Sequence, residues 1–252
     1  MFLGITENQQ EKKRVSAGSR IRLVTVLFSI SLFMPFFIYS LFYFDLVRGR
    51  SSFDADLQQP VAKVVTSSGI GTAFMISPTI LLTARHVLGN EQEGDEVELI
   101  FEQSDNQFRS RARIKYIAPT TQQPANGQVT LDYFLTDLAV LETDGIDGIE
   151  PLLLGESDAV VNLDEVILIG YPHGDYSITK GNINSGSFRG FDLFKLDASS
   201  NPGNSGGPCI LGDDHTVIGI LVGGSNPDLQ GENVALKINQ VKAILRNEGI
   251  SY

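Results

Sequence analysis

The sequence is poor in residue types that cross-link proteins, bind metals or bind nucleic acids. It has one cysteine, Cys209, so no intramolecular disulfide can form and the fold has to be held together by packing. It has three histidines, and no cluster of Cys and His has metal-site spacing, so we expect no metal and no other cofactor. The 19 basic residues are outnumbered by 30 acidic ones, which argues against a nucleic-acid partner because phosphates are bound by clustered Lys and Arg.

What is present is a chain of 252 residues with a net charge of −11 that is unevenly distributed. Residues 1–50 hold seven basic and three acidic side chains, a charge of +4, so residues 51–252 carry −15. The length allows one or two domains with cores of their own. The uneven charge indicates two regions in different surroundings.

The run 23–44 contains no charged residue and is apolar almost throughout. Its residues, at about 1.5 Å each, would form a helix of roughly 33 Å, enough to cross a hydrocarbon core of about 30 Å. A cleaved signal peptide would have a shorter apolar region, of about 7–15 residues, and a small-residue cleavage site. Because residues 44–48 offer no such site, we predict a retained transmembrane signal anchor that binds the lipid bilayer.

The flanking charges predict the orientation of this anchor. Five basic residues precede the run and two follow it, and the positive-inside rule then keeps the N-terminal tail, residues 1–22, in the cytoplasm. The protein is predicted to cross the cell membrane once. Residues 45–59 would be a linker, and residues 60–252 a domain outside the cytoplasm, either periplasmic or extracellular.

From Pro60 onwards, short runs of Val, Ile, Leu, Phe and Tyr alternate with turn residues. No helical periodicity intervenes until the C-terminus, which indicates an all-β barrel or sandwich. About 200 residues of short strands could form two small barrels with a join near 145–157. The chain ends with apolar residues at three- and four-residue steps before Gly249, which predicts an amphipathic helix. These residues are Ile238, Val241, Ile244 and Leu245.

The segment 201–208, NPGNSGGP, places three glycines around Ser205. Glycines let backbone N–H groups approach a ligand closely, as an oxyanion hole beside a serine nucleophile requires. An ordinary turn of Gly, Pro and Asn has the same composition. A nucleophilic serine also needs a base, and histidine is the usual one near neutral pH.

The three histidines differ in their surroundings. His86 follows the apolar run ILLTA, so a strand would deliver it to the edge of a sheet. His173 lies in a loop between predicted strands, where it would be a surface residue or would line a substrate loop. His215 follows two aspartates in a predicted hairpin turn, where a solvated histidine is ordinary.

A histidine base needs a buried acceptor that fixes its tautomer. Asp137 lies directly before a fully apolar strand and fits that role. Asp132 and Asp144 are rivals with more polar neighbours. An aspartate at a strand start is often only a turn residue, so the interpretation depends on all three patterns occurring together.

Together these segments resemble the signature motifs of the chymotrypsin-like, or trypsin-like, serine proteases, in the order His, Asp, Ser. The resemblance is strongest to the HtrA/Deg branch, with some likeness to the V8-type endopeptidases. It covers most of residues 60–246 and implies an all-β fold, a double six-stranded β-barrel followed by the C-terminal helix. The motifs are 83–87, 136–141 and 203–208, supported by 69–77 (GIGTAFMIS) and 197–208 (DASSNPGNSGGP).

The resemblance implies that His86 is the general base, Asp137 its orienting acid and Ser205 the nucleophile. The backbone N–H groups of Gly203 and Ser205 would form the oxyanion hole. The protein would then be a membrane-anchored serine endopeptidase that cleaves extracytoplasmic proteins or peptides through an acyl-enzyme on Ser205. The alternative is a catalytically silent binding or sensor module. The observation that supports this alternative is the unusual Arg85, which precedes His86 in the sequence.

Departures from the family predict the specificity. Ser199 stands where trypsin has the acidic floor of its pocket, and Leu221 stands where V8-like enzymes place a histidine. These two residues imply a small or aliphatic residue at P1. Only 47 residues follow Ser205, so we expect no PDZ domain of the kind that HtrA proteins usually carry. HtrA-like domains are often trimers, which leaves a homo-oligomer open.

Overall fold

A computed structural model of the chain describes Met34 and residues 56–104, 107–120, 131–223 and 232–252. The predicted tail 1–22 lies outside these residues, as do the predicted anchor 23–44, apart from Met34, and most of the linker. No helix within the described ranges is long and apolar enough to cross a membrane. All described residues except Met34 belong to one unit, Asp54–Tyr252.

The first six strands close into an antiparallel barrel in the order β1-β2-β3-β6-β5-β4. Apolar and polar residues alternate along the strand Glu96–Phe101 as a half-buried strand requires, since Val97, Leu99 and Phe101 are buried, whereas Glu96 is exposed. The strands are β1 (Val61–Thr66), β2 (Gly69–Met75), β3 (Ile80–Thr83), β4 (Glu96–Phe101), β5 (Phe108–Ile117) and β6 (Ala139–Glu142).

The next six strands close into a second barrel in the order β10-β11-β12-β9-β8-β7. Its core is apolar and includes Leu168, Phe194 and Ile218, together with the thiol of Cys209. The strands are β7 (Glu165–Gly170), β8 (Ser177–Ser185), β9 (Leu193–Leu196), β10 (Pro208–Leu211), β11 (Val217–Gly223) and β12 (Asn233–Lys237). The connection between the barrels, 143–164, contains the segment expected to join them.

Two α-helices follow strands of the barrels. The short α1 (Arg85–Leu88) follows β3, and α2 (Ile238–Asn247) follows β12. Helix α2 buries Ile238, Val241 and Leu245 against the second barrel. The predicted double six-stranded barrel with a C-terminal helix is therefore confirmed, whereas the N-terminal transmembrane helix stays a prediction.

Candidate active site

Two neighbouring antiparallel strands bring His86 and Asp137 together. Strand β3 pairs with β6, and Thr83 lies opposite Ala139 where the ladder ends. His86 comes three residues after Thr83, within α1. Asp137 comes two residues before Ala139. Because the strands run in opposite directions, both side chains lie at the same end of the first barrel.

The Asp137 carboxylate holds His86 through two hydrogen bonds. His86 Nδ1 lies 2.6 Å from Asp137 Oδ2, and the His86 backbone N–H donates to Asp137 Oδ1 at 2.9 Å. The Asp137 side chain is fully buried, whereas the His86 side chain is 32% exposed. A carboxylate at Nδ1 fixes the tautomer in which Nε2 can accept a proton. The pair therefore has the geometry of a general base and its orienting acid.

Ser205 lies in the connection between β9 and β10 and contacts the first barrel through its backbone. Its carbonyl accepts a hydrogen bond from the N–H of Thr72, on β2, at 2.9 Å. Strand β2 pairs with β3, the strand that leads to His86. Within the described residues, the side-chain hydrogen bond of His86 goes to Asp137 and not to Ser205. Catalytic hydrogen bonds are often long in free enzymes and shorten when substrate binds.

The turn that precedes Ser205 contains the two backbone N–H groups predicted to form the oxyanion hole. The Asn204 N–H donates to Asn201 O at 3.0 Å, and Gly203, the third residue of this turn, has a φ of +106°. Such a φ is typical of type II turns and favours glycine. Among the hydrogen bonds of the described residues, none has the N–H of Gly203 or Ser205 as its donor. These N–H groups are free to bind an oxygen that becomes negatively charged.

The segment between β7 and β8 packs against this turn. The His173 backbone N–H donates to Pro202 O at 2.8 Å. A Cβ at position 203 would lie 2.2 Å from Tyr171 O, so only glycine fits there. Tyr171 is fully buried and its hydroxyl donates to Val61 O at 3.2 Å. Burial raises the pKa of Tyr171 far above its ordinary value, so the phenol keeps its proton and remains a donor.

Thr72, a residue that the sequence analysis did not single out, contacts the turn from the first barrel. Its side chain is fully buried, and Oγ1 donates to Gly203 O at 2.7 Å. A threonine in the run GIGTAFM is an ordinary strand residue, and Gly203 is 131 residues away in the sequence. No local pattern therefore shows the contact between Thr72 and Gly203. The available signal is a polar side chain at a position that the strand pattern predicts to be buried.

The Arg85 guanidinium donates its hydrogen bonds to backbone carbonyls rather than to the His86–Asp137 pair. Nη1 donates to Ala118 O at 3.0 Å and to Thr136 O at 2.9 Å, and Nη2 donates to Tyr133 O at 3.0 Å. The guanidinium also stacks on the Tyr133 ring, 4.3 Å from its centroid. A silent module would be indicated by His86 buried against a misplaced Arg85, and the structure shows a different arrangement.

The two predicted specificity residues differ in their exposure. Ser199 is exposed, and its carbonyl accepts a hydrogen bond from Thr179 Oγ1 at 2.8 Å. Leu221 is 2% exposed and packs in the core of the second barrel, while its backbone bonds to Gly206 and Gly207. The backbone of Leu221 therefore supports the loop around Ser205.

The other histidines and aspartates weighed above lie in turns, loops and a 3₁₀-helix. The His173 side chain is exposed, and only its backbone contacts the turn at Gly203. His215 lies in the turn between β10 and β11, and Asp144 is exposed after β6. Asp132 belongs to the 3₁₀-helix Leu131–Thr136. Cys209 is buried, and burial raises the pKa of its thiol to about 12, so it is not a nucleophile near neutral pH.

A cavity of about 620 Å³ lies beside His86 on the first barrel. Its charged lining residues are Arg85, Glu91 and Glu93, and neither Ser199 nor Leu221 contributes. Burial is the largest single effect and raises the pKa of Glu91, but hydrogen bonds from Ser67 and from the backbone of Asn90 and Glu91 together outweigh it and lower the pKa. The cavity therefore carries carboxylate charge next to the imidazole.

Residues 71–220 match one protein-family model, that of the trypsin-like peptidase domain. Protease Do-like 2, chloroplastic, from Arabidopsis thaliana is 31% identical over 174 residues, which are 66% of this chain and 25% of that protein. The "Probable periplasmic serine endoprotease DegP-like" of Pseudomonas savastanoi pv. phaseolicola is 32% identical over 152 residues, 56% of this chain and 26% of that protein. The chain thus spans about a quarter of the length of these relatives.

A solved structure of the HtrA-type protease AlgW with a tripeptide has the same fold. Its TM-score is 0.61, and the match covers 78% of this chain and 63% of that chain at 24% sequence identity. The resemblance to HtrA-type proteases inferred from the sequence motifs is confirmed by these comparisons.

Proposed function

Because the chain belongs to the family of trypsin-like peptidase domains, we propose that it is a serine endopeptidase of the HtrA type that acts through an acyl-enzyme on Ser205. One observation carries the proposal. The buried Asp137 holds His86 at the end of the first barrel where Thr72 binds the backbone of Ser205. No observation on the described residues favours the silent module over the enzyme.

In this proposal each residue takes one step in acyl transfer. Ser205 Oγ attacks the carbonyl carbon of the substrate while His86 Nε2 accepts the hydroxyl proton. The carbonyl oxygen becomes an oxyanion and accepts hydrogen bonds from the N–H groups of Gly203 and Ser205. His86 then returns the proton to the leaving amine as the C–N bond breaks. Water repeats the sequence on the ester, which releases the acid and regenerates Ser205.

The substrates in this proposal are proteins or peptides with a small or aliphatic residue at P1. Ser199 carries no charge that could pair with Lys or Arg at P1. Leu221, buried in the barrel core, cannot bind the carboxylate of a P1 glutamate as a histidine would. A peptide library with varied P1 residues tests this preference, and efficient cleavage after Arg, Lys or Glu would contradict it.

The proposal places the enzyme at the cell membrane, with residues 60–252 outside the cytoplasm. Its support is the charge-free run 23–44 and the excess of basic residues before it. The full chain should stay in the membrane pellet after alkaline carbonate extraction, and a variant without residues 1–44 should not. A protease added to intact cells should digest the C-terminal domain, so a protected domain would refute this topology.

Labelling by a fluorophosphonate, which reacts only with an activated serine, tests the enzymatic proposal. We expect the full chain to be labelled, Ser205→Ala to be unlabelled, and peptide turnover in that variant to fall by about 10⁶-fold. The matched control is Ser110→Ala on β5, which should be labelled like the wild type. A folded wild-type chain that is not labelled would contradict the proposal.

A further inference from the structure

Thr72 joins the first barrel to the turn that precedes Ser205. We propose that its hydroxyl is a positioning group that holds the oxyanion hole in its catalytic geometry. The inference rests on the proposed function, because it assigns Thr72 a role in the same site. The predicted oxyanion donors are backbone N–H groups of the second barrel. The proposal adds a residue of the first barrel that positions them.

The Thr72 hydroxyl is used both as a donor and as an acceptor. Oγ1 donates to Gly203 O at 2.7 Å and accepts the Tyr171 N–H at 3.2 Å. The side chain has no exposure to solvent, so water cannot take over either bond in the native state. Valine, which has the same shape, would leave both backbone groups without these partners.

The bond to Gly203 O fixes the peptide that lies between the two oxyanion donors. The Gly203 N–H belongs to the Pro202–Gly203 peptide, and the Ser205 N–H belongs to the Asn204–Ser205 peptide. The intervening Gly203–Asn204 peptide is held at both ends, by Asn204 N–H to Asn201 O and by the Thr72 hydroxyl to Gly203 O. Because Gly203 has no side chain to restrict rotation, hydrogen bonds have to fix the angle between the two donors.

The Thr72 backbone extends the same connection to the nucleophile and to the base. Its N–H donates to Ser205 O at 2.9 Å. Its carbonyl accepts Thr83 Oγ1 at 2.7 Å, and Thr83 ends the strand that leads to His86. A single buried residue therefore contacts the oxyanion turn, the nucleophile and the strand of the base.

A positioning role predicts a specific kinetic effect. The oxyanion forms only during the reaction, so a misplaced donor lowers kcat and leaves KM nearly unchanged. We expect Thr72→Val to lower kcat by about 10²-fold, as displacements near 1 Å can do, with KM within about threefold of the wild type. Thr72→Ser keeps the hydroxyl and should retain kcat within about threefold.

The experiment uses the full chain and measures fluorophosphonate labelling, kcat, KM and the Ki of a peptide aldehyde, whose adduct occupies the oxyanion hole. Thr143→Val is the matched control, since Thr143 is a buried threonine outside the site whose Oγ1 accepts only a long bond of 3.4 Å from the Gly145 N–H. The aldehyde should bind more weakly to Thr72→Val in the same proportion as kcat falls. If Thr72→Val does not fold, Thr72→Ala replaces it at a temperature where its circular dichroism is native.

The outcomes separate this inference from the proposed function. A wild type that is neither labelled nor active refutes the proposed function itself. An active wild type with an equally active Thr72→Val refutes only the role of Thr72. The inference also fails if Thr72→Ser loses as much kcat as Thr72→Val, or if KM rises while kcat is unchanged.

Discussion

Arg85 shows how a single residue can have a different role from the one its sequence neighbours indicate. Its position before His86 in the sequence places a positive charge next to the base. In the structure the guanidinium binds three backbone carbonyls, those of Ala118, Tyr133 and Thr136, and stacks on the Tyr133 ring. Because Thr136 precedes Asp137, Arg85 fastens the segment that carries the acid to the helix that carries the base.

Replacing Arg85 by Met should test this role, since Met keeps an unbranched apolar stem and removes the guanidinium. We expect a loss of about 2–5 kcal/mol in the free energy of unfolding, because buried carbonyls lose charged donors. Urea unfolding measures the change. Arg111→Met is the control, since the Arg111 side chain is 81% exposed and its surface ion pair should contribute less than about 1 kcal/mol. Equal stability of the two variants would contradict the role assigned to Arg85.

The limits of prediction from the sequence can be seen at Asp137 and Thr72. Asp137 was found because a carboxylate directly before an apolar strand is a local pattern. Its contact with His86 depends on the pairing of β3 with β6, which are separated in the chain by β4 and β5. Thr72 was missed because both of its hydroxyl partners lie about 100 residues or more away and become neighbours only when the two barrels pack together.

Among the elements, helix α2 packs against the second barrel, and polar side chains on it and at the preceding end of β12 contact neighbouring segments. Lys242 Nζ donates to Glu156 Oε1 at 2.7 Å, in the connection between the barrels. Gln240 Nε2 donates to Asp192 Oδ2 at 2.8 Å, and Lys237 forms an ion pair with the same carboxylate. The hydrogen bond from Lys237 is the main cause that lowers the pKa of Asp192, with a smaller contribution from Gln240.

The lowered pKa of Asp192 makes its contacts with Lys237, at the end of β12, and with Gln240, on α2, dependent on pH. A carboxyl whose pKa is lower in the folded state contributes stability above its unfolded pKa and loses it as the pH falls through the folded pKa. Asp192→Asn should therefore be less stable than the wild type at pH 7, by less than about 1 kcal/mol because the side chain is largely exposed. Urea unfolding at pH 7, 5 and 3 should show this difference shrinking below about pH 4. A difference that stays constant, or that Asp213→Asn in an exposed turn reproduces, would contradict the assignment.

At the scale of the whole described unit, the two barrels are joined by buried polar contacts around one segment. Besides the Thr72 bonds, Tyr171 donates from its hydroxyl to Val61 O, and Lys63 Nζ donates to Gly174 O at 3.0 Å. Val61 and Lys63 lie on β1, whereas Tyr171 and Gly174 follow β7. Contacts of this kind tie the geometry of the oxyanion turn to the packing of the barrels.

If these contacts couple the barrels, both barrels should unfold in one transition. Because the chain has no tryptophan, the fluorescence of a single introduced tryptophan reports on one barrel at a time. A single tryptophan at Tyr116→Trp reports on the first barrel, and one at Phe191→Trp reports on the second. We expect equal urea midpoints for the two reporters. Adding Tyr171→Phe, which removes the hydroxyl that donates to Val61 O, should lower both midpoints together, by about 1 kcal/mol in the free energy of unfolding. Different midpoints in the parent chain, or a shift confined to one reporter, would mean that the barrels unfold independently and that the contacts at Tyr171 do not couple them.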